Sequence, residues 1–132
     1  MTSLPLVEIG FVSKDLTQRD FLATVFDLEL LDPVDLPYGV LHRLRGYGTV
    51  LKVLIPQEEP VPPTRAVEFH AATGIRFITI RVTDLDAVVA RVEGAGGRVT
   101  VGPVEPMPGV RLAMIEDPDG NLIEASQLPQ SE

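Results

Sequence analysis

The hydrophobic pattern of this chain predicts the same elements twice, in the same order. In each half an apolar run typical of a strand precedes a helix, and short strands follow. The predicted strands cover residues 6–12, 40–45, 49–55, 75–82, 98–101, 111–115 and 122–125, with one further short strand between residues 32 and 39. The predicted helices cover residues 16–26 and a segment that begins at residue 85, and the predicted proline-rich loops cover residues 57–63 and 103–109.

Two gapless matches within the chain support this repeat. Residues 8–16 align with residues 77–85, and residues 48–52 align with residues 120–124. The chain is therefore predicted to be one α+β domain built from two β-α-β-β-β modules. Two sheets of this kind, each with a helix on one face, can curve toward one another and enclose a cavity. The predicted boundaries are about 5–56 for module 1, 57–74 for the linker and 75–127 for module 2.

A stretch near the C-terminus carries the densest turn chemistry. Its Asp-Pro-Asp-Gly-Asn segment, residues 117–121, has the residue types of a tight turn, and the apolar runs on both sides predict a β-hairpin. In the strand after the turn, Glu124 shares a face with Leu122, while Ile123 and Ala125 share the other face. Burying a carboxylate there costs free energy unless a partner contacts it. We interpret the turn as structural and not as an active site. The function then depends on which group contacts the Glu124 carboxylate.

Composition excludes several classes of site and partner. Hydrophobic residues make up 45% of the 132 residues, which is enough for a folded core. The formal net charge of −8 argues against nucleic acid, anionic membranes and other polyanions, and mildly favours neutral or cationic ligands. The chain has no cysteine, so disulfides, thiolate metal sites and thiol nucleophiles are excluded. No signal peptide or membrane span is visible, and we expect a cytoplasmic location.

These features resemble the vicinal oxygen chelate superfamily, which includes glyoxalases, bleomycin resistance proteins and extradiol dioxygenases. The most specific parts of the resemblance are the Asp-Pro-Asp-Gly-Asn-Leu-Ile-Glu stretch, the Asp-Leu that opens each helix, and the repeat itself. The resemblance implies paired modules that form a U-shaped β cup around a small-molecule ligand or substrate, and a homodimer as the usual assembly. Metal-dependent members bind one divalent metal through inward side chains of the first and fourth strands of each module, typically His or Gln, then Glu, His and Glu.

The resemblance places these four metal-ligand positions on Glu8, Lys52, Phe77 and Glu124. Glu124 fits the pattern, and Glu8 is a carboxylate that can still coordinate. Phe77 has no ligand atom, and an ammonium at Lys52 has no lone pair to donate and repels a divalent ion. Two oxygen ligands alone make a weak site for a transition metal. We therefore expect no cofactor, with Glu8 and Glu124 as ligands if a metal does bind.

Lys52 is expected to replace the metal electrostatically, with its ammonium between Glu8 and Glu124. The alternative is that Lys52 lies at a sheet edge and Glu124 is an ordinary hairpin charge. A hairpin turn centred on Tyr47 would place positions 42 and 52 opposite each other on one face. His42 is then a tentative acid, base or substitute ligand, and an ordinary sheet histidine is the alternative.

Three residues of the strand at 75–82 share a face and are predicted to line the cup and contact a ligand: Phe77, Thr79 and Arg81. Phe77 adds an apolar wall suited to an organic ring, or it packs in the core. Arg81 can hold a carboxylate or phosphate, or it faces solvent near the end of its strand. His70 lies in the stretch 64–73, which is a loop or an arm, and is expected to be exposed.

Three functions stay open from the sequence. The first is metal-independent binding of a small organic molecule in the cup, as in the drug-binding resistance proteins. The second is a lyase, isomerase or epimerase in which Glu8, Lys52 and Glu124 transfer protons, with His42 as a further candidate. The third, ranked lowest, is a metal-dependent glyoxalase- or dioxygenase-like enzyme. Fold alone does not decide between them.

Overall fold

A computed structural model describes residues 7–63 and 68–129 of the chain. The chain divides into two units, Met1–Val61 and Pro62–Glu132, so the boundary falls inside the proline-rich segment predicted as a linker. Both units combine one helix with one mixed sheet, which confirms the predicted α+β class. Residue 6 of the first predicted strand and residues 64–67 of the predicted loop or arm lie outside the described residues.

The first unit contains a five-stranded sheet and one helix. Its elements are β1 (Ile9–Val12), α1 (Thr17–Phe26), β2 (Glu29–Leu30), β3 (Val34–Leu36), β4 (Gly39–Gly46) and β5 (Thr49–Pro56). The strand order is β1-β5-β4-β2, and β3 also pairs with β4. β1 runs parallel to β5, and the other pairs are antiparallel. Strand β3 is the predicted short strand, and β2 precedes it along the same edge of β4.

The second unit has the β-α-β-β-β order that the sequence predicts. Its elements are β6 (Phe77–Arg81), α2 (Leu85–Val92), β7 (Arg98–Met107), β8 (Val110–Glu116) and β9 (Leu122–Gln127). The strand order is β6-β9-β8-β7, with β6 parallel to β9. Short 3-10 turns lie at Phe69–Ala71 and Glu93–Ala95.

The prediction of a loop at residues 103–109 is wrong over most of that range, because strand β7 continues to Met107. Pro103 and Pro106 lie inside this strand. β7 is at the edge of its sheet, where a residue without an N–H donor is tolerated, and its pairing with β8 shifts register three times along the strand.

The internal repeat is confirmed by strand register. In the first unit Gly10 of β1 pairs with Lys52 of β5, and in the second unit Thr79 of β6 pairs with Glu124 of β9. These are the positions that the two gapless sequence matches make equivalent. The same parallel pairing therefore joins the first and last strand of each unit.

Each helix packs on one face of its own sheet. Buried apolar side chains of the first unit, on the helix or on the sheet face beneath it, include Phe21, Leu22, Val25, Phe26, Leu44, Leu51 and Val53. Those of the second unit include Ile80, Leu85, Val88, Val92, Ala113, Ile115, Ile123 and Ala125. Because side chains alternate along a strand, the residues between these positions lie on the face away from the helix. We call this the helix-distal face of each unit.

The turn between β8 and β9 is structural, as predicted. The buried carboxylate of Asp117 accepts hydrogen bonds from the backbone N–H groups of Asp119 and Asn121 at 3.0 and 2.8 Å. Its second oxygen accepts one from the Asn121 side chain at 3.0 Å. Gly120 has a positive φ of 85°, which glycine adopts without a steric penalty. These bonds fix the start of β9 and hence the position of Glu124.

The hairpin between β4 and β5 corrects the predicted placement of His42. Its turn has two central residues, Tyr47 and Gly48, both with positive φ (54° and 75°). The centre of the turn therefore lies between these residues and not on Tyr47. Arg43 pairs with Lys52, and His42 pairs with Val53. Because a shift of one residue exchanges the two faces of a strand, His42 lies on the helix side and Arg43 lies beside Lys52.

The surroundings of His42 fit this placement. Burial lowers the pKa of its imidazole below the ordinary value, and the positive charge of Arg19 lowers it further. Asp20 opposes the shift. Both charged residues belong to α1. His42 therefore lies on the helix side of its sheet and away from Lys52, and its role as an acid, base or ligand stays a prediction.

Replacing Asp117 by Ala removes an acceptor from two backbone N–H groups in a buried turn. We expect the free energy of unfolding to fall by about 1–3 kcal/mol, measured by urea denaturation. Asp35→Ala, at an exposed position in β3, is the matched control and should change stability by no more than about 0.5 kcal/mol. Equal effects of the two substitutions would contradict a structural role for the Asp117 carboxylate.

His42 should make stability depend on pH. Its folded pKa is lower than the unfolded value of about 6.5, so the unfolded chain binds the proton more readily. The stability contributed by neutral His42 is therefore complete above about pH 6.5 and is lost as the pH falls below that value. His42→Gln should reduce the loss of unfolding free energy between neutral and mildly acidic pH. His70→Gln, at an exposed position, should leave that loss unchanged; the reverse result would refute the assignment.

Candidate functional site

An ion pair occupies the helix-distal face of the first unit. The Lys52 Nζ atom lies 2.8 Å from Glu8 Oε1, and the two side chains are 36% and 34% exposed. Lys52 is in β5, beside Gly10, and Glu8 lies directly before β1. The predicted contact between Lys52 and Glu8 is therefore present. The second predicted contact of Lys52, with Glu124, would join the two units and stays a prediction.

Gly10 is an open position on this face, beside Lys52. A Cβ atom built on Gly10 would meet nothing within 4 Å, so the surface beside Lys52 is open. In the second unit the equivalent position is Thr79, whose hydroxyl lies next to Glu124. The two units thus carry different polar pairs on the same backbone arrangement.

The residues at the family's metal positions do not fit a divalent ion well. The ammonium of Lys52 already contacts Glu8, and a metal bound to that carboxylate would have a like charge beside it. Phe77 offers no donor atom. In the residues that the structure describes, no group of three or more His, Cys, Asp or Glu side chains is placed to hold a metal ion. Glu8 and Glu124 are the two family positions that keep oxygen donors.

Glu124 has a local partner in the second unit. The Thr79 hydroxyl donates a hydrogen bond to Glu124 Oε1 at 3.4 Å. The Glu124 side chain is partly buried and lies opposite Met114 of β8. The Thr79 hydroxyl therefore compensates part of the free-energy cost of burying the Glu124 carboxylate, through a long hydrogen bond.

An aromatic cluster lies on the helix-distal face of the second unit. Phe77 is 43% exposed, so it is not a plain core residue. Its ring packs edge to face against Phe69 with 5.9 Å between centroids. Phe69 belongs to the 3-10 turn at residues 69–71, and its carbonyl accepts a hydrogen bond from Arg76 Nε at 3.0 Å. This exposed aromatic surface is suited to contact with an organic ring.

The remaining predicted residues are placed as follows. Arg81 is exposed at the end of β6 and pairs with Ser126 of β9. His70 is exposed, as expected, and its ring packs against Phe69 at 5.2 Å between centroids. His42 lies on the opposite face of its sheet from Lys52.

Sequence reasoning missed two residues of these faces. Arg43 lies next to Lys52 because the turn has Tyr47 and Gly48 as its two central residues, and the sequence does not signal the positive φ of Tyr47 on which this register depends. Phe69 lies in a segment without periodic pattern, and no signal in the sequence places it against Phe77.

Comparisons with known proteins agree with this architecture. The sequence profile of the Glyoxalase/Bleomycin resistance protein/Dioxygenase superfamily matches residues 11–125. No curated protein is significantly similar to the chain in sequence. No helix in the described residues is both long enough and apolar enough to cross a membrane.

Three solved structures illustrate the similarity. A glyoxalase family protein from Bacillus cereus is 14% identical with a TM-score of 0.78, over 98% of this chain and 97% of that chain. A genomically encoded fosfomycin resistance protein from Listeria monocytogenes is 18% identical with a TM-score of 0.68, over 100% and 96%. An antibiotic-binding protein from a Streptomyces species is 26% identical with a TM-score of 0.64, over 98% of each chain.

The profile match extends over most of the chain and includes every strand and helix of the second unit except the last residues of β9. The resemblance inferred from the repeat and the Asp-Pro-Asp-Gly-Asn turn is confirmed: the chain belongs to the Glyoxalase/Bleomycin resistance protein/Dioxygenase superfamily.

Proposed function

We propose that this protein binds a small organic molecule and does so without the divalent metal of its metal-dependent relatives. The observation that carries the proposal is the ion pair between Lys52 and Glu8, at 2.8 Å. Lys52 stands where those relatives carry a glutamate ligand. A permanent cation at this place supplies positive charge without coordination chemistry, so binding and not metal-assisted catalysis is the function that the site favours.

The second unit supports the same proposal. Phe77 replaces a metal ligand with an aromatic ring, and Phe69 extends the apolar surface. Thr79 and Glu124 add a polar group that can accept or donate a hydrogen bond to a ligand. The 26% identity to an antibiotic-binding protein, over 98% of both chains, adds weight to binding.

Binding is tested with a panel of small aromatic natural products, screened by thermal shift and then by isothermal titration. Phe77→Ala should weaken a bound aromatic compound about tenfold, because a ring contact contributes about 1 kcal/mol or more. Tyr38→Ala, at another exposed aromatic position, is the matched control and should leave the affinity unchanged. Equal loss in both variants, or no stabilisation by any compound, would contradict the proposal.

The same panel tests the enzymatic alternative. A compound consumed by the wild-type protein, with turnover abolished in Glu124→Gln while affinity is retained, would move the assignment to proton-transfer chemistry at Glu8, Lys52 and Glu124. Unchanged compound after prolonged incubation, with the same affinity in Glu124→Gln and wild type, favours sequestration.

Metal binding should appear when the family's ligands are restored. Wild-type protein should give no saturable heat with nickel, zinc, manganese or ferrous ions, because Lys52 repels them and Phe77 offers no donor. The double substitution Lys52→Glu with Phe77→His should gain at least about tenfold in affinity for nickel or zinc.

The control pairs Phe77→His with Lys14→Glu, which changes charge equally at the other lysine of the chain. This control should gain little. Stoichiometric metal in the wild-type protein at micromolar affinity would overturn the proposed replacement of the metal by Lys52.

A further inference from the structure

Arg43, Lys52 and Gly10 form one row across the helix-distal face of the first unit. Arg43 of β4 pairs with Lys52 of β5, and Lys52 pairs with Gly10 of β1. Two cationic side chains therefore lie side by side, next to a position that has no side chain. A Cβ on Gly10 would meet nothing within 4 Å, so an incoming group can approach the sheet here.

The charges in this row do not balance within the described residues. Glu8 neutralises Lys52 at 2.8 Å. Arg43 has no carboxylate partner in those residues; its Nη2 atom donates to the carbonyl oxygen of Asp32 at 3.0 Å, and its buried Nε has no partner. This leaves one net positive charge on the helix-distal face of a chain whose formal net charge is −8.

Arg45, on the same strand, differs from Arg43 because a carboxylate compensates its charge. It also belongs to the helix-distal face, since it lies two residues after Arg43. Its guanidinium makes a bidentate contact with Glu29, in which Nη2 donates to Oε1 at 3.0 Å and Nε donates to Oε2 at 3.2 Å. Its charge is therefore satisfied by a side chain, whereas Arg43, among the residues that the structure describes, contacts only the neutral carbonyl of Asp32.

An apolar row lies beside the charged row. Val12 of β1 pairs with Leu54 of β5, and Leu54 pairs with Leu41 of β4. Val12 is 57% exposed although it is a large hydrophobic residue within a sheet. An apolar surface next to an uncompensated cation matches a ligand with an apolar body and one anionic group.

We propose that Arg43, with Lys52 beside it, binds an oxyanion of the ligand, a carboxylate, sulfonate or phosphate, while the ligand's apolar body covers Val12, Leu54 and Leu41. The remaining N–H donors of the Arg43 guanidinium match the planar geometry of such an oxyanion. This inference rests on the proposed binding function and specifies the ligand class as organic anions. It assigns the anion to Arg43 and not to Arg81.

The test uses matched probes that differ in charge: naphthalene-2-carboxylate, naphthalene-2-sulfonate and the neutral naphthalene-2-carboxamide. Each is titrated into ¹⁵N-labelled protein and followed by NMR. The two anions should bind at least about fivefold more tightly than the amide, because a charge-assisted hydrogen bond is about twice as strong as a neutral one. The largest shifts should include the amides of Gly10 and Lys52.

Variants then locate the anion. Arg43→Met keeps the aliphatic stem and should bring the ratio of acid to amide affinity close to one, and Arg43→Gln should do the same if Met perturbs packing. The spectrum of each variant reports whether it is folded. Arg45→Met is the matched control and should keep the preference for the acid, because Arg45 is already paired with Glu29.

Three outcomes would overturn the inference. Equal affinity for acid and amide, with shifts at Gly10 and Lys52, would leave the binding function standing and remove the anion from it. An acid preference that survives Arg43→Met and disappears in Arg81→Met would assign the anion to Arg81. No binding of any probe, or of any compound in the wider panel, would overturn both the inference and the proposed function.

Discussion

The parallel pairing of the first and last strand in each unit is the constraint on which the candidate site depends. A helix must follow the first strand and cover one face of the sheet, so every second side chain of both strands is committed to the core. The pairs of Gly10 with Lys52 and Thr79 with Glu124 then fall on the other face. Their position follows from the backbone, whatever chemistry they carry.

Because the backbone fixes these positions, the repeat can be compared residue by residue. Thr79 gives Glu124 a hydroxyl donor, whereas Gly10 gives Lys52 no side chain at all. Lys52 therefore reaches along the face to Glu8, which stands two residues before Gly10. Each unit compensates its polar residue by a different route, although both units use the same strand pairing.

The sequence was sufficient wherever hydrophobic period and repeat agreed. Both helices, the hairpin around Asp117 and the faces of Glu124 and Ile123 follow from local patterns that the packing reinforces. The β4–β5 register could not be predicted from local patterns, because it depends on a positive φ at Tyr47 that residues with large side chains rarely adopt. The Tyr47 hydroxyl donates to the Phe26 carbonyl at 2.9 Å, a long-range contact that no local pattern reveals.

The predicted extent of strand β7 was wrong for a similar reason. Proline is rarely found in a central strand, because it has no backbone N–H to donate to a neighbouring strand. An edge strand pairs on one side only, so about half of its backbone donors have no strand partner and proline is tolerated there. Whether a strand lies at an edge is a property of the whole sheet, and so the error could not be corrected from residues 98–109 alone. The one-residue error at Tyr47 had the larger consequence, since it exchanged His42 for Arg43 beside Lys52.

The presence of Arg43 instead of His42 beside Lys52 also changes the class of ligand that the charges favour. A formal net charge of −8 disfavours nucleic acid and other polyanions, whose charges extend over the whole surface of a protein. A single carboxylate is different, because salt screens interactions beyond about 8 Å under physiological conditions. Lys52 contacts the Glu8 carboxylate, whereas Arg43 has no carboxylate partner among residues 7–63 and 68–129 and leaves a local positive charge. An acidic protein can therefore present a local site for an organic anion.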